Sequence, residues 1–289
     1  MGPEGSGGGG GGITDIVGGP GITVTGGSGP TATVSLAGGN PTGLPPATQG
    51  LTLSLHANLG VDPPTGNVLD WSDWARPGLY WTSGGTGAVF DPVGINGLPT
   101  LDFTAGVTSS YTQARFSAYT DSDAYVFPTG WTIGAIVEYT GAVNYSNWLA
   151  SPQIIGSGNQ GAGLLCGLDP ANPLNVIFAA FVFDASSDPQ TVVAVSVPKN
   201  TAHYVIVTFD PTGTFTIWVD GAAPVTSGPW TFQTVGSLQA SNWTIGQNVI
   251  EASSHFNGSI LRIDNWCRAL APATEIPALQ AFYVTQGGF

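Results

Sequence analysis

Along most of the chain, apolar residues alternate with Thr, Ser, Gly or charged residues, the period-two pattern of strands with one buried face. Residues 203–221, HYVIVTFDPTGTFTIWVDG, carry it most clearly. Val205, Val207 and Phe209 fall on one side of a first strand, and Phe215, Ile217 and Val219 on one side of a second. Asp-Pro-Thr-Gly between them supplies a tight reversal, so the stretch predicts a half-buried hairpin. Similar runs recur at 52–56, 88–90, 100–103, 132–138, 153–155, 176–183, 191–196, 243–245 and 259–266, most of them bounded by Gly, Pro, Asn or Asp. Many short strands between turn residues are the signature of a sandwich or barrel. A helical period occurs near the end, in APATEIPALQAFYVTQ, where Ile276, Leu279, Phe282 and Tyr283 form one stripe behind Thr274 as cap and Pro277 in the opening turn. The pattern predicts a helix packed across a sheet end.

The first fifty residues follow a different rule. Residues 1–12, MGPEGSGGGGGG, have almost no side chains to bury and read as a flexible tether. Three β-branched runs follow, Ile13 to Val17, Ile22 to Thr25 and Thr31 to Leu36, separated by Gly-Gly-Pro and Gly-Ser-Gly-Pro turns. Strands this short and few cannot build a core, so they are expected to pair with another chain or another copy. Ile13, Ile16, Val17, Ile22, Val24, Val34 and Leu36 are the expected contact residues. Residues 37–50 are a Pro/Gly-rich connector, which divides the chain into an extended arm, 1–50, and a globular head, 51–289. The amino terminus lacks the basic region and apolar run of a secretory signal, and no stretch is apolar enough to span a membrane as a helix.

Composition narrows the partners. Of 289 residues 42% are hydrophobic, ample for a core, whereas only 8% are charged, against about 25% in an average soluble domain. With 43 Gly and 22 Pro, turns must be frequent and helices few. The net charge of −13 offers no basic patch for phosphates and disfavours anionic membrane surfaces, so neither nucleic acid nor membrane insertion is expected. Cys166 and Cys267 lack metal-site spacing and are expected to be free thiols.

The succession HYVIVTFD, IWVDG, NWTIGQN and FNGSILRIDNWCRALAPATEI resembles the carboxyl half of the concanavalin A-like, laminin-G-type jelly roll, and LSLHANLGV, VLDWSDW and GINGLPTLDF are similar to its amino half. The likeness covers about residues 51–289 and implies an all-β jelly-roll sandwich with a short C-terminal helix. GITDIVGGPGITVTGG is similar in style to the Gly-rich β segments that begin phage fibre and head-decoration proteins. Together the two resemblances imply a phage virion structural protein, a capsid decoration, head fibre or tail fibre subunit, whose arm holds it to other virion proteins. They imply a homotrimer at the virion surface, with the head offered to host or environmental glycans.

The residues leave three readings of the head. Glycosidases need two carboxyl groups across the scissile bond. The four glutamates, Glu4, Glu138, Glu251 and Glu275, have no acidic neighbour two residues away, and the one close pair, Asp121 and Asp123, reads as a turn. His56, His203 and His255 are scattered, without triad or metal spacing, so no enzyme, cofactor or metal is expected. A dedicated receptor-binding lectin would instead use aromatic stacking. LDWSDWARPGLYW places Trp71, Trp74 and Trp81 near Asp70 and Asp73, and Trp218 lies on the hairpin face opposite Ile217. The competing reading of these six residues is structural, with the aromatics filling the sandwich and the aspartates capping turns.

Overall fold

The computed structural model describes residues 22–25, 33–36, 43–62, 66–75, 80–83, 88–103, 111–112, 130–144, 153–157, 162–183, 189–229, 243–246 and 255–289. They contain β1 (Ile22–Thr25), β2 (Thr33–Leu36), β3 (Leu51–His56), β4 (Val61–Asp62), β5 (Gly66–Val68), β6 (Asp70–Ser72), β7 (Tyr80–Ser83), β8 (Ala88–Asp91), β9 (Thr100–Asp102) and β10 (Tyr111–Thr112). There follow β11 (Trp131–Tyr139), β12 (Gln153–Ser157), β13 (Ala162–Asp169), β14 (Asn172–Phe183), β15 (Pro189–Pro198), β16 (Ala202–Phe209), β17 (Phe215–Val219), β18 (Val225–Ser227), β19 (Trp243–Ile245), β20 (Gly258–Trp266) and the helix α1 (Glu275–Gly287).

The chain divides into two units, Met1–Leu44 and Pro45–Phe289. In the first, β1 and β2 pair antiparallel with each other, Ile22 opposite Leu36 and Val24 opposite Val34. Two of the three runs expected to pair with another chain therefore satisfy one edge each within a single chain; the run with Ile13, Ile16 and Val17 lies outside the described residues. The second unit begins at Pro45, earlier than the composition places it. Residues 45–50 are fastened to it, with Trp266 Nε1 donating to the Ala47 carbonyl (2.6 Å) and Arg268 Nε to that of Gln49 (2.8 Å).

That second unit is an all-β sandwich. One sheet runs β15-β14-β13-β12-β19-β10-β7-β6-β4; the other runs β18-β17-β16-β11-β20-β9-β8-β5, with β3 also paired to β20. Between them lies the main core, including Leu53, Leu55, Trp71, Trp81, Ile133, Phe178, Val205, Val207, Ile217 and Ile263. The predicted hairpin is β16 and β17, in register from Val205 opposite Val219 to Phe209 opposite Phe215. Asp210 Oδ1 makes its turn, accepting the N–H groups of Thr212 (2.8 Å) and Thr214 (3.0 Å), while Gly213 takes φ 86°. At its base Phe209 and Phe215 stack with ring centroids 4.7 Å apart, and the Trp131 ring meets Phe215 edge-on at 5.7 Å.

The hairpin is not half-buried, however. Its other face carries Tyr204, Ile206 and Trp218, which join Ile136, Leu261 and Trp266 in a second core beneath Ile276, Leu279 and Tyr283 of α1. The alternating pattern predicted water there because it registers one buried face; the helix covers the other. Glu275 reaches back to accept the Ala271 N–H (2.8 Å), so it anchors the first turn where Thr274 makes no side-chain cap. The αL residue Gly288 closes the helix, its N–H meeting the Val284 carbonyl.

The helix is fixed over a buried ion pair. Arg262 Nε donates to Asp264 Oδ2 (2.6 Å), Ser54 Oγ donates to Asp264 Oδ1 (2.6 Å), and Tyr283 reaches from α1 to donate to Asp264 Oδ2 (2.9 Å). Arg262 and Asp264 are both fully buried. The Phe282 ring lies 4.7 Å from the guanidinium carbon. Gly134 on β11 makes the approach possible, because a Cβ there would collide with the Tyr283 hydroxyl. Among the described residues no helix is long and apolar enough to cross a membrane.

Candidate binding surface at the β4–β6–β7 edge

Among the described residues, no helix lies on the outer side of the sheet at the end that closes with β4. Trp71 of β6 and Trp81 of β7 point into the main core, so strand alternation turns Asp70, Ser72 and Thr82 to the outside. The register sets Asp62, Asp70 and Thr82 side by side on β4, β6 and β7. Exposure falls along the row, from Asp62 at the open edge through half-buried Asp70 and Thr82; Thr244, farther across the sheet, is buried.

Thr82 Oγ1 donates to Asp70 Oδ1 (2.8 Å), which orients the carboxylate and leaves Oδ2 to accept from a ligand. Two residues beyond Ser72, past the end of β6, a bend places Trp74 at the surface, 38% exposed. Its backbone is pinned, Trp74 N–H donating to the Ser54 carbonyl (2.8 Å). Gly60, at φ +75°, packs beneath it: a Cβ there would run into Ser72 and lie 3.1 Å from Trp74 Nε1. An exposed indole packed with Ser72 around Gly60, at the end of the strand that carries the oriented Asp70 carboxylate, can stack on an apolar ring face, and the polar groups of the strand can hold hydroxyls.

Of the six residues singled out in the sequence, only Trp74 and Asp70 offer themselves in this way. Trp71 and Trp81 have no exposed surface and cannot stack on a sugar; the sandwich interior claims them. Trp218, 7% exposed, belongs to the core under α1 and not to an open face. Asp73, 2% exposed, is a turn cap whose Oδ1 accepts the N–H groups of Ser54 (3.0 Å) and Ala75 (2.9 Å), tying the loop to β3. Asp62, Ser72 and Thr82 were not legible as candidates, since their proximity comes from cross-strand register.

Elsewhere several of the described titratable groups make structural contacts. His203 is buried at the start of β16, its Nδ1 against Asp220 (2.5 Å) and its Nε2 against the Pro198 carbonyl (2.8 Å). Burial pulls its pKa down, but the bonds to Asp220 and Pro198 and the charges of Asp220 and Glu138 outweigh this and raise it. Asp102 is pushed upward by burial and by the neighbouring carboxylates Asp91 and Glu138. Cys166 is buried and Cys267 half-buried, both free. Among the described residues no three His, Cys, Asp or Glu side chains come together as metal ligands. Asp121, Asp123 and Glu251 lie outside the described residues.

No protein-family model matches the chain. No curated protein matches it by sequence. Solved structures do match its fold. A Trypanosoma rangeli sialidase, solved as a covalent intermediate with 2,3-difluorosialic acid, aligns with TM-score 0.54 at 16% identity, over 82% of this chain and 33% of that one. Botulinum neurotoxin type C, whose cell entry depends on interaction with two ganglioside molecules, aligns with TM-score 0.51 at 15% identity, over 81% of this chain and 52% of that one. The binding domain of botulinum neurotoxin DC, solved with rat synaptotagmin II, gives TM-score 0.50 at 13% identity over the same shares. This chain thus spans a third of the sialidase and about half of each neurotoxin chain. Such identities establish the fold alone, an all-β jelly-roll sandwich.

Proposed function

We propose that the sandwich is a carbohydrate-binding module without catalytic activity, and that the amino-terminal unit is the arm by which copies of it assemble on a particle. The observation that carries the binding role is the exposed Trp74 two residues beyond the end of β6, the strand whose Asp70 pairs with Thr82, while Trp71 and Trp81 are committed to the core. Sugar binding is also supported by the solved neighbours, a sialidase bound to a sialic acid derivative and a neurotoxin whose cell entry depends on gangliosides. A net charge of −13, with Asp62 and Asp70 at the site itself, favours neutral glycans over acidic ones.

The finer reading is a phage virion protein, a head decoration or a fibre subunit at the particle surface. Its support is the glycine-rich tether and the β1–β2 ribbon, which has too little of its own interior and two outer strand edges to satisfy. Three identical arms completing one another's edges would give a trimer attached to other virion proteins.

A glycan array probed with the full-length protein and with Trp74→Ala tests the binding role. Neutral glycans are expected to retain the parent and to lose the variant by about tenfold in affinity, the equivalent of ~1.4 kcal/mol. Retention unaffected by the substitution would move binding away from this edge. The solution mass with and without residues 1–44 tests the arm: truncation is expected to turn a trimer into monomers, and an unchanged oligomer would place the interface in the sandwich.

A further inference from the structure

The geometry points to a second ligand site, a pocket for a single neutral sugar ring or similar polyol, at the carboxyl-terminal end of α1 and independent of the Trp74 surface. A depression of about 180 Å³ is lined by His56, Asn58, Leu98, Pro99, Thr285 and Gln286. At ~30 Å³ per liquid water it has the room of about six waters, enough for one ring and too little for an oligosaccharide.

Its walls are held in place. Asn96, in the left-handed region at φ 51°, donates from Nδ2 to the Gly287 carbonyl (2.8 Å) and so clamps the loop bearing Leu98 and Pro99 to the last turn of the helix. On the other side, Leu59 N–H donates to the His56 carbonyl (2.9 Å) and shapes the turn that presents Asn58. With two of its three segments hydrogen-bonded to each other and the third closed by its own turn, the pocket is largely preorganised, so little ordering cost is left for a ligand to meet.

The chemistry of the lining selects a neutral, hydroxyl-rich partner. Two amides, a hydroxyl and an imidazole surround an apolar patch of Leu98 and Pro99, and no lining side chain carries a formal charge. Thr285 already donates to the Ala281 carbonyl (3.0 Å), so its oxygen is left as an acceptor, while Asn58 and Gln286 each supply both donors and an acceptor. Burial and the nearby Arg262 guanidinium lower the His56 pKa to about 3, which keeps the ring neutral at every physiological pH. Arg262, paired in register with His56, is already matched by Asp264, so it adds no net attraction for an anion. Behind this wall, His56 Nδ1 is buried without a hydrogen-bond partner among the described residues. The end of the helix adds the negative pole of its dipole, which favours ligand hydroxyl donors and disfavours carboxylates.

NMR of the full-length protein with labelled histidine tests the site. Glucose, galactose and N-acetylglucosamine are titrated separately, with N-acetylneuraminic acid as the charged counterpart and Trp74→Ala as a parallel background. The expected result is a saturable shift of the His56 resonances with at least one neutral sugar, weakened several-fold by Asn58→Ala and by Gln286→Ala and unchanged in Trp74→Ala. Absence of any shift with all three neutral sugars, or a shift with the acidic sugar alone, would overturn the assignment. A shift that disappears in Trp74→Ala would overturn its independence from the β4–β6–β7 edge and fold it into that surface.

Discussion

The two outer faces of the sandwich are made from similar residues and have opposite fates. On the face beneath α1, Trp218, Tyr204 and Trp266 are sealed into a second core, and even an arginine and an aspartate are buried as a pair. At the β4–β6–β7 edge, Asp70, Ser72, Thr82 and Trp74 keep part of their surface in contact with water. Residue type does not distinguish them, since each face has tryptophan and aspartate. What differs among the described residues is a covering element: Trp218 lies under a helix and stabilises the fold, and Trp74, 38% exposed, keeps surface that a ligand can meet.

The largest effect expected from this contrast is Asp264→Ala. Removing the carboxylate strands the Arg262 guanidinium and frees the Tyr283 hydroxyl, and loss of one partner of a buried pair costs about 3–5 kcal/mol. Urea unfolding should show a correspondingly lower midpoint, and a shift within error would mean that water already reaches the pair. Trp218→Ala, which empties a large site in the helix-covered core, is expected to cost a similar ~3–5 kcal/mol, whereas Trp74→Ala should change stability by no more than about 0.5–1 kcal/mol. Equal losses in the two variants would erase the distinction between the faces.

A smaller effect concerns pH. His203 has a folded pKa above its unfolded value of 6.5, so its contribution is fully present below pH 6.5 and is lost as pH rises through the folded pKa. The midpoint of thermal unfolding should therefore fall on the alkaline side of 6.5 in the parent and fall less in Asp220→Asn; parallel profiles would exclude the pair as the cause. The smallest effect is a gain. The raised Asp102 pKa means that its charged form is disfavoured in the fold, a penalty that grows as pH rises from the unfolded pKa through the folded one. Asp102→Asn should stabilise the protein at neutral pH by about 0.5 kcal/mol or less, and destabilisation would show that the carboxylate has a favourable partner.

Much of the fold was legible because period-two alternation reports burial directly. The β16–β17 hairpin, its Asp-Pro-Thr-Gly turn and α1 all stand where the pattern places them. β13, Ala162–Asp169, was missed: AGLLCGLD has glycines where alternation would need polar residues, and Leu164 and Leu165 belong to different clusters on its two sides. The site was less legible. A cluster of Trp and Asp in LDWSDWARPGLYW marks the right edge, yet the residues pointing inward and outward differ by a single position. Only the cross-strand pairing of Trp71 with Trp81 settles which are wall and which are surface. The covered face of the hairpin was misread for a related reason, since a helix more than fifty residues downstream decides whether Trp218 meets water.

The central claim is that Trp74 at the β4–β6–β7 edge binds and that Trp218 beneath α1 only supports the fold. It is tested most directly by measuring glycan affinity and unfolding free energy together for the parent, Trp74→Ala and Trp218→Phe. The expected result is a crossed pattern: Trp74→Ala loses affinity and keeps stability, and Trp218→Phe loses stability and keeps affinity. Affinity that follows Trp218 and ignores Trp74 would contradict the account.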